Sequence, residues 1–176
     1  LASFKQPQLA TLVDAVPDGP GWLHEIKYDG YRCLIATGGG KVRAFTRTGL
    51  DWSDKFAPIV EAFEALDMPS ALIDGEIVAL DAKGKPSFGT LQDALKDGDA
   101  PLVYFAFDLV EEGGKSLANL GNEKRKERLS ALLSDVGASD PIHYSEHVSK
   151  GEKLFEALCK EGYEGIISKR ADAKYA

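Results

Sequence analysis

The stretch HEIKYDGYRC, residues 24–33, joins an apolar strand pattern to a charged turn. Ile26 stands directly before Lys27, an Asp-Gly pair follows, and Arg32 comes two residues after the glycine. Apolar and polar residues that alternate around an Asp-Gly pair predict two strands joined by a turn. A solvent-exposed hairpin fits this pattern, and so does a lysine held at a strand end to attack a phosphate.

Strand and helix patterns continue on both sides of this stretch. We predict strands at residues 22–27, 31–37 and 42–46, and their short connections favour a meander over residues 22–46. The other predicted strands are 71–80, 102–110, 142–145 and 164–170, and the predicted helices are 52–66, 88–95 and 151–161. Asn122 is predicted to cap one more helix, with Leu129, Leu132, Leu133 and Val136 facing inward.

Consecutive strands without alternating helices favour an α+β fold, with antiparallel or mixed sheets flanked by helices. The chain has 176 residues, enough for one domain that buries roughly 70% of its unfolded surface. No apolar run approaches the ~18 residues that a membrane span needs. The sequence starts at Leu1, and we therefore expect a piece of a longer protein.

Charge and cysteine content restrict the possible partners. A net charge of -7 argues against tight DNA binding by this chain alone, because DNA-binding domains present basic surfaces. The densest basic run, EKRKER at residues 123–128, mixes both signs and is predicted to be a solvated helix face. Cys33 and Cys159 lie far apart without CxxC spacing, which predicts reduced, buried thiols.

Two apparent motifs fail on spacing. The GGGKV and GGKS stretches lack the earlier glycine of a Walker phosphate loop, since Ile35 and Leu109 occupy that position. His143 and His147 are four residues apart, but the glutamate between them is misplaced for a zinc protease helix. We therefore expect neither a P-loop nor a histidine metal site.

The opening stretch has companions further along the chain. They are FTRTG at residues 45–49, DGE at 74–76, FDL at 107–109 and EGIISK at 164–169. In this order and spacing the set resembles the covalent nucleotidyltransferases, which include ATP-dependent DNA ligases, RNA ligases and mRNA capping enzymes. The amino-acid sequence around the motifs is most similar to that of the ligase module of bacterial non-homologous end-joining ligases. The resemblance implies the covalent nucleotidyltransferase (ATP-grasp-like) fold.

The residue types suit nucleotidyl transfer even without the resemblance. A free lysine, with pKa ~10.4, is neutral in only about one of 2,500 molecules at pH 7, so attack on a phosphate needs a lowered pKa. Arg32 and Arg47 can bind phosphate oxygens with two donors each. Carboxylates such as Glu76 and Glu164 suit a ribose hydroxyl or a hard metal ion. Phe107 offers a purine a stacking face.

The resemblance assigns a role to each of these positions. Lys27 matches the nucleophile, which becomes lysyl-AMP. The phosphate- and sugar-contacting positions are Arg32, Arg47 and Glu76, the base-stacking aromatic is Phe107, and the metal-linked acid is Glu164. Glu25, with the adjacent backbone at Ile26, matches the position that contacts the adenine amino group, and Lys169 lies in the final motif. The implied cofactors are ATP and Mg²⁺ or Mn²⁺, with Glu76 and Glu164 as metal ligands. Taken singly, Glu76 could be a strand-face charge and Phe107 a core residue.

The implied function is adenylation followed by sealing of DNA nicks or breaks in repair. The expected partners are nicked or broken double-stranded DNA, contacted mainly through further domains, and end-joining repair proteins. We expect a cytoplasmic bacterial monomer, nucleoid-associated when acting on DNA, without membrane contact. From the resemblance we expect residues 1–176 to correspond to the nucleotidyltransferase domain, cut before the family's Lys-x-Lys motif and OB-fold domain. We therefore expect weak ATP binding and slow self-adenylation from this segment alone.

Two alternatives stay open. A capping-type enzyme would use the same lysine chemistry with GTP in place of ATP. A non-catalytic module would bind a nucleotide or a repair partner and would never carry a covalent nucleotide. The three functions therefore differ in the covalent adduct that they form: an adenylate for the ligase, a guanylate for the capping-type enzyme and none for the binding module.

Overall fold

The computed structural model describes residues 1–98, 101–137, 140–161, 163 and 165–176. The strands in these residues are β1 Trp22–Ile26, β2 Tyr31–Gly38, β3 Lys41–Thr46, β4 Ala71–Ala79, β5 Leu102–Glu112, β6 Lys115–Ser116, β7 Ile142–Tyr144 and β8 Ile166–Arg170. The helices are α1 Ala57–Glu64, α2 Phe88–Asp97, α3 Asn122–Leu132 and α4 Gly151–Lys160. The predicted α+β class is confirmed.

The larger sheet has the strand order β3-β2-β4-β5-β6, and β7 pairs with β5. All of its pairs are antiparallel except the parallel β5–β7 pair. In its register Arg32 lies opposite Glu76, and Asp74 lies opposite Asp108. Residues that lie opposite each other share a face of the sheet. Three motifs that are distant in sequence therefore meet on one face.

The smaller sheet pairs β1 with β8, antiparallel, with Glu25 opposite Ile167 and Leu23 opposite Lys169. The predicted meander over residues 22–46 is therefore wrong for its first strand, while β2 and β3 do form a hairpin. Period-2 apolar patterns identify strands but not their partners. Here the partner of β1 is supplied by the far end of the chain.

Helix α1 begins five residues later than predicted, at Ala57 rather than residue 52. Pro58 falls at the start of the helix, where its missing N–H costs nothing. Ile59, Val60 and Phe63 bury the inner face of α1 against the larger sheet. Helix α3 packs on β5, which places charged residues of α3 close to the motifs of β5.

Two further expectations have definite outcomes. Cys33 is buried in β2, as predicted, but Cys159 is exposed on α4, so the prediction of a buried thiol is wrong there. Cys159 adjoins the buried Leu158 but points away from the sheet side of a strongly amphipathic helix.

None of the helices in the described part of the chain has the length and apolar character that a bilayer crossing requires.

Candidate active site

A cavity of about 440 Å³ is lined by residues of both sheets. Of the predicted site residues, it brings together Glu25, Ile26, Lys27, Arg32, Glu76, Phe107 and Lys169. The N-terminal segment contributes Gln8, and the C-terminal segment contributes Tyr175. Strands β1 and β8 thus supply one wall, and β2, β4 and β5 supply the other.

Lys27 lies at the end of β1, where its backbone N–H donates to the carbonyl of Gly165 at 3.0 Å. The turn after it is fixed by Gly30, whose N–H donates to Glu76 Oε2 at 3.2 Å. A Cβ at Gly30 would overlap the carbonyl oxygen of Ile77. Glycine is therefore required for the close approach of this turn to β4, next to Lys27 in the cavity lining.

Arg32 reaches into the cavity and forms a two-pronged ion pair. Its Nε and Nη2 donate to Asp74 Oδ1 and Oδ2, both at 2.6 Å, and Nη2 also donates to the Gln8 carbonyl at 2.8 Å. The Asp74 carboxylate outweighs burial and raises the pKa of Arg32 further above its usual value. These bonds use the Nε–Nη2 edge, so a phosphate would approach the Nη1 edge.

Tyr175 closes this arrangement from the C-terminal end of the chain. Its hydroxyl donates to Asp74 Oδ2 at 2.6 Å and accepts from the Gln8 N–H at 3.2 Å. From the sequence, no role was assigned to Gln8 or Tyr175. The only signal for Tyr175 was its place six residues after Lys169.

Glu25 is buried between two lysines. Its Oε1 lies 3.0 Å from the Nζ of Lys126, and its Oε2 lies 2.8 Å from the Nζ of Lys169. Burial alone would raise the pKa of Glu25, but the two ammonium groups together lower it. The same burial lowers the pKa of Lys126, with the Glu25 charge acting in the opposite direction. Glu25 therefore belongs to a charge cluster at the base of the cavity.

The basic run at residues 123–128 is not a solvated face throughout, and this prediction is wrong for two of its residues. Arg125 and Lys126 are 1% and 0% exposed. Leu129 and Leu133 are buried on the inner face of α3. Arg125 and Lys126 lie four and three residues before Leu129, and the helical period therefore places both cations on that same face. They are buried because each has a buried carboxylate as its partner. The helical period alone predicts burial at both positions, but charged residues are ordinarily expected to be exposed.

Arg125 joins α3 to β5 and to the C-terminal segment. Its Nε and Nη2 donate to Asp108 at 2.8 and 3.1 Å. Its Nη1 donates to the carbonyls of Leu120 at 2.6 Å and Ala173 at 2.9 Å. Burial raises the pKa of Asp108 even with Arg125 beside it. Arg125 thereby fixes residues that follow β8 against the cavity wall.

Phe107 and Glu76 line the same wall. The guanidinium of Arg32 and the ammonium of Lys169 lie over the Phe107 ring, 4.9 and 4.5 Å from its centroid. Burial raises the pKa of Glu76 to about 7, against the lowering effects of the Gly30 N–H and the Arg32 charge. Phe107 is thus a half-buried cavity residue rather than a core residue.

Of the two remaining predicted site residues, one lies away from the cavity and the other is not among the described residues. Arg47 is exposed in the turn after β3 and does not line the cavity, so its predicted phosphate contact stays a prediction. Glu164 lies outside the described residues. Among the residues that are described, no three His, Cys, Asp or Glu side chains gather closely enough to form a metal site by themselves.

Comparison with known proteins identifies the chain. A family model for the ATP-dependent DNA ligase domain matches residues 2–176. The chain belongs to this family. The family resemblance in the motifs is therefore confirmed for this ligase domain over nearly the whole sequence.

Two curated relatives of this ligase domain are end-joining proteins. The multifunctional non-homologous end joining protein LigD of Pseudomonas aeruginosa is 37% identical over 171 residues, covering 96% of this chain and 20% of that protein. The LigD of Mycobacterium tuberculosis is 32% identical over 154 residues, covering 88% of this chain and 20% of that protein. The chain thus spans about a fifth of these relatives.

A solved structure supports the fold of this ligase domain. Mycobacterial DNA ligase D, complexed with ATP and MES, matches with a TM-score of 0.78 and 31% identity over 88% of this chain and 50% of that chain. The nucleotidyltransferase fold expected from the sequence is therefore confirmed. The chain is an ATP-dependent DNA ligase domain and is similar to the ligase part of the LigD proteins.

Proposed function

We propose that Lys27 attacks the α-phosphate of ATP in the cavity and becomes lysyl-AMP. The Nζ–P bond forms, the bond between the α-phosphorus and the bridging oxygen breaks with its electron pair leaving on pyrophosphate, and the proton of the amine is released to solvent. The observation that supports this is the convergence of Lys27, Arg32, Glu76, Phe107 and Lys169 on one cavity. Cations at the wall can neutralise charge that develops on the phosphate oxygens.

Glu76 is the best-placed described carboxylate for a ribose hydroxyl or a divalent cation. Four described carboxylates line the cavity, and three of them are held by cationic side chains: Glu25 by lysines, Asp74 by Arg32 and Asp108 by Arg125. Glu76 instead accepts from a backbone N–H. Carboxylate oxygen suits Mg²⁺ or Mn²⁺, and a bound cation would stabilise the charge on the leaving pyrophosphate. Glu164 is proposed as a second metal-linked acid.

The adenylate would then pass to the 5′-phosphate of nicked or broken double-stranded DNA, which activates it for sealing in repair. We propose residues 1–176 as one nucleotidyltransferase unit of a longer bacterial protein, acting as a cytoplasmic monomer on DNA. The names of the curated relatives support end joining as the setting. End-joining repair proteins are accordingly proposed as partners.

A transfer assay tests this function. The natural polypeptide that contains these 176 residues is incubated with ATP and Mg²⁺, freed of nucleotide, and mixed with a nicked duplex. We expect a covalent protein adenylate, then adenylated DNA, then sealed product. An adduct formed equally well with GTP would favour the capping-type function. No covalent nucleotide under any condition would favour a non-catalytic binding module.

A further inference from the structure

The side chain of Lys126 is fully buried beneath the cavity, on the inner face of α3. Its ammonium lies 3.0 Å from Glu25 Oε1, 2.9 Å from the Ser145 carbonyl and 3.3 Å from the Phe107 carbonyl. An ammonium has three N–H donors, and here three acceptors surround it. Lys126 therefore has no donor left for a nucleotide. It pairs with the side chain of Glu25 and meets Phe107 through that residue's backbone carbonyl.

Glu25 is 2% exposed, yet it lines the cavity. A buried carboxylate stays ionised only where cations and hydrogen bonds replace its lost water. Lys126 and Lys169 supply one cation to each of its oxygens. Each carboxylate oxygen has two lone-pair positions, so the paired carboxylate can still accept a hydrogen bond from a ligand.

The two lysines beside Glu25 are not equivalent. Lys169 is 22% exposed at its side chain and lies over the Phe107 ring at the cavity wall, where a ligand can compete for it. Lys126 is 0% exposed and its ammonium lies 4.8 Å from the centroid of the Tyr144 ring. Lys126 is therefore the more enclosed of the two cationic partners of Glu25.

We propose that Lys126 is a positioning residue for purine recognition. It holds the Glu25 carboxylate in one orientation, so that the carboxylate accepts a hydrogen bond from the 6-amino group of adenine. Lys126 itself does not touch the nucleotide. The inference rests on the proposed function, because it takes an adenine nucleotide as the ligand of the cavity.

Equilibrium binding of two nucleotides tests this role. The chain is titrated calorimetrically with ATP and with purine riboside triphosphate, which lacks only the 6-amino group. In the unaltered chain ATP should bind about fivefold or more tightly, as expected for one hydrogen bond to a charged group. Lys126→Met should bring the ratio of the two Kd values close to one. A merely structural role would weaken both nucleotides equally and leave the ratio unchanged.

Arg128→Met is the matched control, since it removes a cation two residues further along α3. Arg128 is 55% exposed and pairs with Glu112 at 2.9 Å, so the Kd ratio should stay as in the unaltered chain. If Lys126→Met does not fold, the double variant Glu25→Gln/Lys126→Met removes both charges of the pair. Its ratio should equal that of Glu25→Gln alone, because Lys126 acts through Glu25.

The results that would contradict the role of Lys126 differ from the result that would contradict the proposed function. A Kd ratio that Lys126→Met leaves unchanged overturns the inference, as does a double variant with a lower ratio than Glu25→Gln alone. An unaltered chain that binds both nucleotides equally also overturns it, while leaving the proposed function intact. A chain that binds neither nucleotide overturns the proposed function, and the inference fails with it.

Discussion

Arg32 and Asp74 lie diagonally to each other on neighbouring strands and share two hydrogen bonds of 2.6 Å. The Asp74 side chain is fully buried, and that of Arg32 is 19% exposed. Tyr175 donates to the same carboxylate. Asp74 thus fixes Arg32 in the cavity wall and connects it to Tyr175 of the C-terminal segment. The pair therefore stabilises the fold in the absence of a nucleotide.

Asp74→Asn should lower the free energy of unfolding by about 3 kcal/mol, because it leaves the largely buried Arg32 without its counter-charge. Urea unfolding measures the change. Glu112→Gln is the control, since it breaks a more exposed pair with Arg128 and should cost less than about 1 kcal/mol. Equal losses in the two variants would mean that the Arg32–Asp74 pair contributes no more than a surface pair.

Glu76 should make the fold less stable as the pH rises. Burial raises its pKa from 4.5 to about 7, so between these values the folded state holds more protons than the unfolded state. The free energy of unfolding therefore falls as the pH rises through this window. Glu76→Gln removes the effect, and its stability relative to the unaltered chain should increase by about 2 kcal/mol from pH 5 to pH 8.

Urea unfolding at both pH values, in EDTA, measures this difference. Glu61→Gln, at an exposed position of α1, should show no comparable change. A Glu76→Gln variant whose relative stability is the same at pH 5 and pH 8 would contradict the raised pKa.

Arg125→Lys should loosen the segment that follows β8. A lysine offers a single charged group in place of the planar fork that Arg125 uses to join Asp108 to the Leu120 and Ala173 carbonyls. The loss of about 1 kcal/mol should speed hydrogen exchange of the Tyr175 amide, which donates to Ala118, roughly fivefold. The Val60 amide of α1 should exchange as before. Unchanged exchange at Tyr175 would show that other contacts hold this segment.

Most of the elements could be predicted from the sequence, because strand alternation and the helical period are local signals. Strand β5 and helices α2 and α4 lie close to their predicted bounds. The pairing of β1 with β8 could not be predicted, since it depends on contacts across nearly the whole chain. The motifs identified the cavity residues, but not the surroundings that fix them.

The residues that the sequence left out are those whose role depends on a partner. Lys126 looks like a solvated helix charge until Glu25 is placed beside it. Tyr175 looks like an ordinary aromatic until Asp74 is seen to accept from its hydroxyl. A charged side chain can be buried only where a partner compensates its charge. That partner can lie far away in the sequence, so a local sequence pattern does not identify it.

The account depends most directly on Lys27 as the nucleophile. The natural polypeptide containing this chain is incubated with ATP and Mg²⁺ or Mn²⁺. Its intact mass is measured before and after the incubation, and peptide mapping then locates the adduct. We predict one adenylate, on Lys27, bound through an acid-labile phosphoramidate. Lys27→Arg should abolish the adduct without unfolding the domain, and Lys41→Arg, at an exposed strand end, should retain it. An adenylate mapped to any other residue, or retained in Lys27→Arg, would contradict the account.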